Sequence, residues 1–161
     1  MVNEFSTIEE EILTVAKIEN GTVIDRIPPG KSLRVLEVLG IDSNYPYIVA
    51  LAMRVPSVKM KVKDVVKIKG KALTKKEIQT LTFIAPHSTV NIIKNFKVIN
   101  KTELTIPKKV EEIINCINPN CVTNAHEPVV SSFDILSEEP LILRCVYCDR
   151  LLQGDTLQNQ L

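Results

Sequence analysis

The chain contains no tryptophan and only three tyrosines and four phenylalanines in 161 residues. Aromatic rings are the platforms on which single-stranded nucleic acid stacks, so a binding surface of that kind is not expected. Long apolar runs are missing as well. None approaches the ~20 residues that a bilayer-crossing helix needs, and no basic segment followed by an apolar stretch opens the sequence. Met1–Glu11 is acidic and polar and reads as a frayed start, which makes a cytoplasmic protein without membrane contact the expectation. There is no glycine-rich phosphate loop of the P-loop or Rossmann kind and no nucleophile-and-base pair, so an enzyme is not expected. His87, in the loop His87-Ser88-Thr89, has no evident orienting partner and reads as structural. Cysteine is absent from the first 115 residues.

The charge that is present is unevenly placed. Residues 1–104 carry 16 Lys+Arg against 11 Asp+Glu, a balance of +5, and residues 105–161 carry 4 against 8, a balance of −4. The two parts are expected to meet different partners. A chain of this length has room for one medium domain plus a small module that needs a staple. Pro107 and the charged stretch Lys108–Glu112 read as the connector. The expected division is a frayed 1–11, a first domain over 12–104, a second over 105–155 and a tail over 156–161.

Thr14–Ile18 is apolar enough for a strand. Asn20-Gly21 either joins a hairpin or kinks one long edge strand that continues through Thr22–Ile27, and the second is preferred. Pro28-Pro29-Gly30 stops the strand. Ser32 is placed as the cap of a helix running to Leu39, with Leu33, Leu36 and Leu39 on one face and Gly40 closing it. Tyr47–Met53 reads as a buried strand. Over residues 58–69, Met60, Val62, Val66 and Ile68 point one way and Lys59, Lys61, Lys63, Lys67 and Lys69 the other, broken only by Asp64 and Val65. That is a half-buried strand with a lysine face. Thr74-Lys-Lys-Glu77 is a capping box opening a helix that turns Ile78, Leu81 and Ile84 inward and ends at Pro86. Ser88–Ile99 is a last β-rich run. The order is βαββαβ, which predicts an α+β fold: a ferredoxin-like two-layer sandwich, with a four-stranded sheet carrying two helices on one face.

Cys116-Ile-Asn-Pro-Asn-Cys121 and Cys145-Val-Tyr-Cys148 are two close pairs on tight turns, the arrangement by which a short chain offers four tetrahedral corners to zinc. Backbone N–H groups in such turns donate to sulfur and offset its charge. The segment is too small to hold itself together, so one structural Zn²⁺ per chain, in a zinc-ribbon-like β module, replaces the missing core. Two disulfides and a redox pair at Cys145 and Cys148 are the competing readings, each at odds with a reducing compartment or with the second pair. Four thiolates leave no corner for water, which argues against catalytic zinc. His126, between the pairs, reads as a loop histidine. Zinc ribbons often bind nucleic acid, but this one is net acidic, which favours docking on a protein over a phosphate backbone.

Gly21-Thr-Val-Ile-Asp25, Lys63-Asp-Val-Val-Lys67-Ile, Ala85-Pro86 followed by Thr89-Val-Asn91, and the cysteine module, in that order, resemble the regulatory chain of aspartate carbamoyltransferase. Glu127-Pro128 and Ser131-Ser132-Phe133 fit the same family, and the resemblance runs from about Thr14 to Leu151. It implies a non-catalytic subunit of pyrimidine biosynthesis, with an allosteric domain for ATP or CTP, and UTP as a further candidate. It also implies a zinc domain gripping the catalytic chain, and dimers of regulatory chains. The nucleotide site it implies comprises Val15, Ala16, Lys17, Ile18, Asp25 and Lys67. Asn91, Ile93, Phe96, Val98 and Lys101 complete it, with Arg26 and Lys63 as weaker candidates. Lys67 and Lys101 would meet phosphates, and Asp25 and Asn91 the ribose or base. Val15, Ile18, Ile93 and Val98 read equally as plain strand core. Lys59, Lys61 and Lys69 read as solvated. Ala16-Lys17, where Glu-Ala is common, and Arg26, where His is common, add positive charge near the phosphates. Phe96 stands where Tyr is common. Asn118, Asn120, Asp149 and Arg150 are the implied contacts to the catalytic chain. The alternative is a zinc-ribbon nucleic-acid-binding or transcription-associated protein, with the basic sheet as its contact surface.

Overall fold

The computed structural model describes residues 17–160, so Val15, Ala16 and most of the expected first strand lie outside the described residues. The chain divides into two compact units, the first ending at Thr105 and the second beginning at Ile106. Among the described residues no helix is long and apolar enough to cross a membrane.

The first unit is α+β. Its elements are β1 (Gly21–Ile27), α1 (Ser32–Val38), β2 (Val49–Ser57), β3 (Lys61–Lys69), α2 (Lys75–Ile84), β4 (Thr89–Lys94) and β5 (Lys97–Glu103). The sheet has five strands in the order β2-β3-β1-β4-β5, every pair antiparallel. β1 is therefore the central strand and not an edge. Its opening Gly21 is required by close approach, since a Cβ there would collide with the Ile68 carbonyl. The fifth strand arises because Ser88–Ile99 does not run on as one strand. It turns back at Asn95 and Phe96, both at positive φ, and β5 pairs with β4.

Ile24, Ile27, Val66, Ile68 and Val90 from the sheet share one core with Val35 and Leu39 of the α1 segment, Leu81 and Ala85 of the α2 segment, and Leu104. Both helices thus lie on the face carrying Ile24, Val66 and Ile68, which Ile27 continues beyond the irregularity in β1. Burying each large side chain there stabilises the fold by about 1.5–3 kcal/mol. Helix α2 begins as expected: Thr74 Oγ1 accepts from the Glu77 N–H at 3.2 Å, and the Glu77 carboxylate accepts from the Thr74 N–H at 2.7 Å. The inward stripe of α1 differs from the expected one. Val35 and Leu39 are buried, Leu36 packs from the side, and Leu33 is exposed, because Ser32 is drawn into the core by a hydrogen bond instead of serving as cap. Gly40, at φ +64, closes the helix, with the Gly40 and Ile41 amides bonding to Glu37 and Leu36 carbonyls. The strand expected to be buried at 47–53 is the sheet edge, with Tyr47, Ile48 and Met53 exposed.

The second unit is a smaller antiparallel sheet, β6 (Lys109–Glu111), β7 (Ser132–Glu138), β8 (Leu141–Cys145) and β9 (Leu151–Gln153), paired in that order. A one-turn 3₁₀ helix, Val122–Asn124, precedes β7, and a short α3, Asp155–Gln158, follows β9. Its buried apolar set is small: Val110, Ile114, Phe133, Leu143, Leu152 and Leu157, with Cys116, Cys121 and Cys145 among them. So few side chains cannot offset the ordering of ~50 residues without a cross-link.

The break at Asp64 in the alternation of β3 has a structural cause. Both neighbouring strands bulge at its level: β1 between Ile24 and Ile27, β2 between Ala52 and Val55. Arg26 and Arg54, at φ 58 and 56, supply the extra residues. The fully buried Asp64 carboxylate accepts from the Arg54 N–H at 2.8 Å, the Gly30 N–H at 2.9 Å and the Ser32 hydroxyl at 2.7 Å. Burial works to raise its pKa, but these donors prevail and hold it below the ordinary 3.8. A folded pKa below the unfolded one gives stability that is complete above about pH 4 and is lost as pH falls through the folded value. Asp64→Asn is expected to cost about 2–4 kcal/mol at pH 7, since an amide turns one acceptor into a donor facing donors. Urea titrations of the full chain at pH 7 and pH 3, read by hydrogen exchange in β1 and β3, check this. The gap between variant and native chain should narrow at the lower pH.

Candidate metal centre and ligand-binding face

The four cysteines converge. Their Sγ atoms all lie within 4.8 Å of one another. Cys116 and Cys148 are 3.4 Å apart and Cys121 and Cys145 3.8 Å apart, sulfur to sulfur. A regular tetrahedron of sulfurs at zinc's bonding distance has edges of ~3.8 Å, so the donor set fits a tetrahedral thiophilic cation. All four are free thiols. The two turns supply the amides that thiolates need. The Asn118 N–H points at Cys116, those of Tyr147 and Cys148 at Cys145, and that of Arg150 at Cys148. Burial pushes the Cys116 thiol up to about 12 against its amide, and also raises Cys145. At Cys148 burial is outweighed by the Arg150 amide and the Asn118 side chain, which bring it down to about 6. His126 is exposed in the intervening loop.

Of the residues assigned to a docking surface, Asn118 faces inward. Its Oδ1 accepts from the Asn120 N–H at 3.1 Å and its carbonyl from the Asn124 side chain at 2.7 Å. Asn120 is exposed. Asp149 lies 3.8 Å from Arg144, which also pairs with Asp134 at 3.2 Å. Arg150 is exposed, and its carbonyl accepts from the Cys145 N–H at 2.9 Å.

In the first unit the sheet face away from the helices collects most of the remaining predicted residues. Lys67 pairs with Val23, Val23 with Asn91 and Asn91 with Lys101, a single row across β3, β1, β4 and β5. Directly paired residues point to the same face at spacings of ~5 Å. Asp25 lies one step along this face on β1, opposite Thr89, and Ile93 lies opposite Val98 on β5. The lysine face is not uniformly solvated: Lys67 is only 6% exposed. Burial pushes its ammonium below the ordinary 10.5, with Asp25 pulling the other way. Lys63 is 3.1 Å from Asp25 Oδ1. Phe96 is exposed in the β4–β5 turn, and its N–H donates to the Glu19 carbonyl at 3.0 Å. This ties the segment bearing the exposed Lys17 and buried Ile18 to the hairpin. Lys101 and Val98 are exposed, and Arg26 sits half-buried in the β1 bulge.

One residue of this face escaped sequence reasoning. Thr89 Oγ1 and Asp25 Oδ1, on directly paired residues, are buried polar atoms with no hydrogen-bond partner among the described residues, although Asp25 is ion-paired with Lys63 and acts on Lys67. A buried hydroxyl without a partner, opposite a carboxylate and beside a buried cation, is a polar group that calls for an explanation. Thr89 opens the family-like Thr89-Val-Asn91 motif, but nothing local singles out its hydroxyl, because the facing Asp25 lies 64 residues away.

Two family descriptions match the chain in tandem. Residues 13–105 match the aspartate carbamoyltransferase regulatory chain, allosteric domain, and residues 108–158 match the metal binding domain of the same chain. Among curated relatives, the aspartate carbamoyltransferase regulatory chain of Thermoplasma volcanium is 48% identical over 145 residues, covering 90% of this chain and 95% of its own. That of Korarchaeum cryptofilum is 48% identical over 153 residues, covering 94% and 98%. That of Pyrococcus horikoshii is 44% identical over 146 residues, covering 90% and 95%. With both domains matched in order and the relatives covered almost end to end, the chain belongs to the family of aspartate carbamoyltransferase regulatory chains, a regulatory and not a catalytic subunit.

Proposed function

We propose that this chain senses nucleoside triphosphates on its helix-free sheet face and conveys their presence to an aspartate carbamoyltransferase catalytic chain through its cysteine module. The observation that carries this is the row Lys67–Val23–Asn91–Lys101, with Asp25 and the Thr89 hydroxyl one step along the same face. A triphosphate needs cations and a ribose or base needs hydrogen-bonding groups, and this face offers both within two rungs. Lys67 is the buried anchor and Lys101 the exposed one, while Phe96 and Val98 offer apolar surface to a base. ATP, CTP and UTP are the candidate effectors. The allosteric domain is assigned to residues 12–104 and the zinc domain to 105–155.

Cys116, Cys121, Cys145 and Cys148 would hold zinc, which when bound supplies the cross-link that the small second core lacks. The turns around them then stand as a fixed surface, with Asn120, Asp149 and Arg150 exposed to meet the catalytic chain and Asn118 shaping it from behind. A second regulatory chain is the other partner. The negative balance of the module argues against nucleic acid, and the protein acts in the cytoplasm, in pyrimidine biosynthesis. Coupling follows only if both domains belong to one joined assembly, because an effector shifts a distant equilibrium through differential binding to two states.

Lys67→Ala and Lys101→Ala are each expected to weaken triphosphate binding by about 1.5–3 kcal/mol, tenfold or more in affinity, and Lys59→Ala to do much less. Calorimetric titration with ATP and CTP decides; equal losses at Lys59 and Lys67 would mean diffuse charge attraction without a site. For the module, purified chain should carry one zinc. Its chelation should open amides beyond residue 106 to exchange while those of β1, β3 and β4 stay protected. Sedimentation with the catalytic chain should then show the complex fall apart and nucleotide response vanish. A complex that survives chelation and still responds would sink the docking role.

A further inference from the structure

We infer that Asn124 and Thr123, neither of them a metal ligand, are the positioning residues of the first cysteine turn: Asn124 clamps its backbone and Thr123 holds the Cys121 sulfur. This rests on the metal-centre reading and deepens it.

The two turns differ in how they are held. Cys145-Val-Tyr-Cys148 lies between β8 and β9, and its backbone closes on itself. The Asp149 N–H donates to the Cys145 carbonyl at 3.0 Å, and the Cys145 N–H to the Arg150 carbonyl at 2.9 Å. Cys116-Ile-Asn-Pro-Asn-Cys121 is two residues longer, and Cys116 lies outside any regular element. Pro119 removes one amide from it. The Cys121 N–H closes on the Asn118 carbonyl at 3.0 Å, and one atom from outside the loop reaches that carbonyl and the Cys116 carbonyl together. Asn124 Nδ2 lies 2.7 Å from each. A primary amide nitrogen carries two protons, so it can serve two carbonyls at once; a carboxylate of the same shape can serve neither.

The clamp is itself anchored. Asn124 ends the 3₁₀ turn that starts directly after Cys121, and its N–H donates to the Cys121 carbonyl at 2.9 Å. What it grips also matters. Asn118 supplies the amide aimed at the Cys116 sulfur and the side chain aimed at the Cys148 sulfur. Fixing the Asn118 carbonyl therefore fixes donors to two of the four sulfurs, one in each turn. Thr123 acts on a third, its Oγ1 lying 3.2 Å from Cys121 Sγ. A donor at this position withdraws charge from a thiolate and sets its direction.

The test uses the full chain and four substitutions: Asn124→Ala, Asn124→Asp, Thr123→Val and Thr123→Ser. The readouts are zinc content after purification and the rate of zinc transfer to a chromogenic chelator. Asn124→Asp is expected to release zinc on the order of 10–100-fold faster than the native chain, the range for lost outer contacts, with Asn124→Ala between them. Thr123→Val should release faster and Thr123→Ser at the native rate. Hydrogen exchange should show Asn118 and Cys121 amides less protected in the Asn124 variants, with β1–β5 unchanged. If Asn124→Asp fails to fold, Asn124→Ala and Thr123→Val, which add no charge, carry the comparison. A native chain holding one zinc, with all four variants releasing it equally, overturns this inference alone. A native chain that holds no zinc overturns the metal-centre reading and this inference with it.

Discussion

A charge withdrawn from water must be met by opposite charge or by aimed dipoles, and both units of this chain are organised around that demand. In the first unit Asp64 is buried at the junction of three strands and a helix, and three donors converge on it. Lys67 is buried on the opposite face of the same strand, within the influence of Asp25. In the second unit four sulfurs crowd into one small volume. The first demand is answered by the chain alone and stabilises the fold. The second is met by Asp25, with the nearby Thr89 hydroxyl given no hydrogen bond among the described residues. The third is answered by no residue of the protein, since amides can soften thiolate charge but cannot cancel it. The hierarchy separates a joint, where the chain supplies every partner, from the two proposed sites, where part of the answer is left to a ligand or a metal.

That separation also accounts for what could be read from the sequence. The capping box at Thr74 and Glu77 depends on atoms three residues apart, and the cysteine spacing depends on turns of four and six residues, so both were legible. The lysine and apolar sides of residues 58–69 were legible as well, because strand periodicity is local. What failed depends on remote partners. β1 was taken for an edge because nothing in Gly21–Ile27 records that β3 and β4 flank it. Tyr47–Met53 is apolar enough for an interior strand, yet it lies at the margin because the sheet order puts it there. Asn95 and Phe96 form a turn without glycine, so the fifth strand was read as a continuation.

The candidate site followed the same rule. Lys67, Asn91 and Lys101 came from family resemblance and fell into one rung of the sheet, but nothing near Lys67 in sequence foretold its burial. Thr89 was missed because its hydroxyl gains meaning only opposite Asp25. Nothing in the sequence singles out Asn124; its two contacts reach back six and eight residues, into a turn whose shape has first to be known.

The paired bulges beside Asp64 have a consequence for how the sheet can be assembled. Strand mispairing by one residue is the ordinary hazard of a central antiparallel sheet, because side chains on both faces change places. In β3 such a slip would drive Lys63 and Lys67 beneath the helices and turn Val66 and Ile68 out to the other face. It would also move the Asp64 carboxylate away from Gly30, Ser32 and Arg54, the three groups it satisfies. Out-of-step pairings of β3 are thus penalised on both faces and at both margins at once, so the strand has one address in the sheet. The lysine row across from the helices inherits its alignment from that constraint.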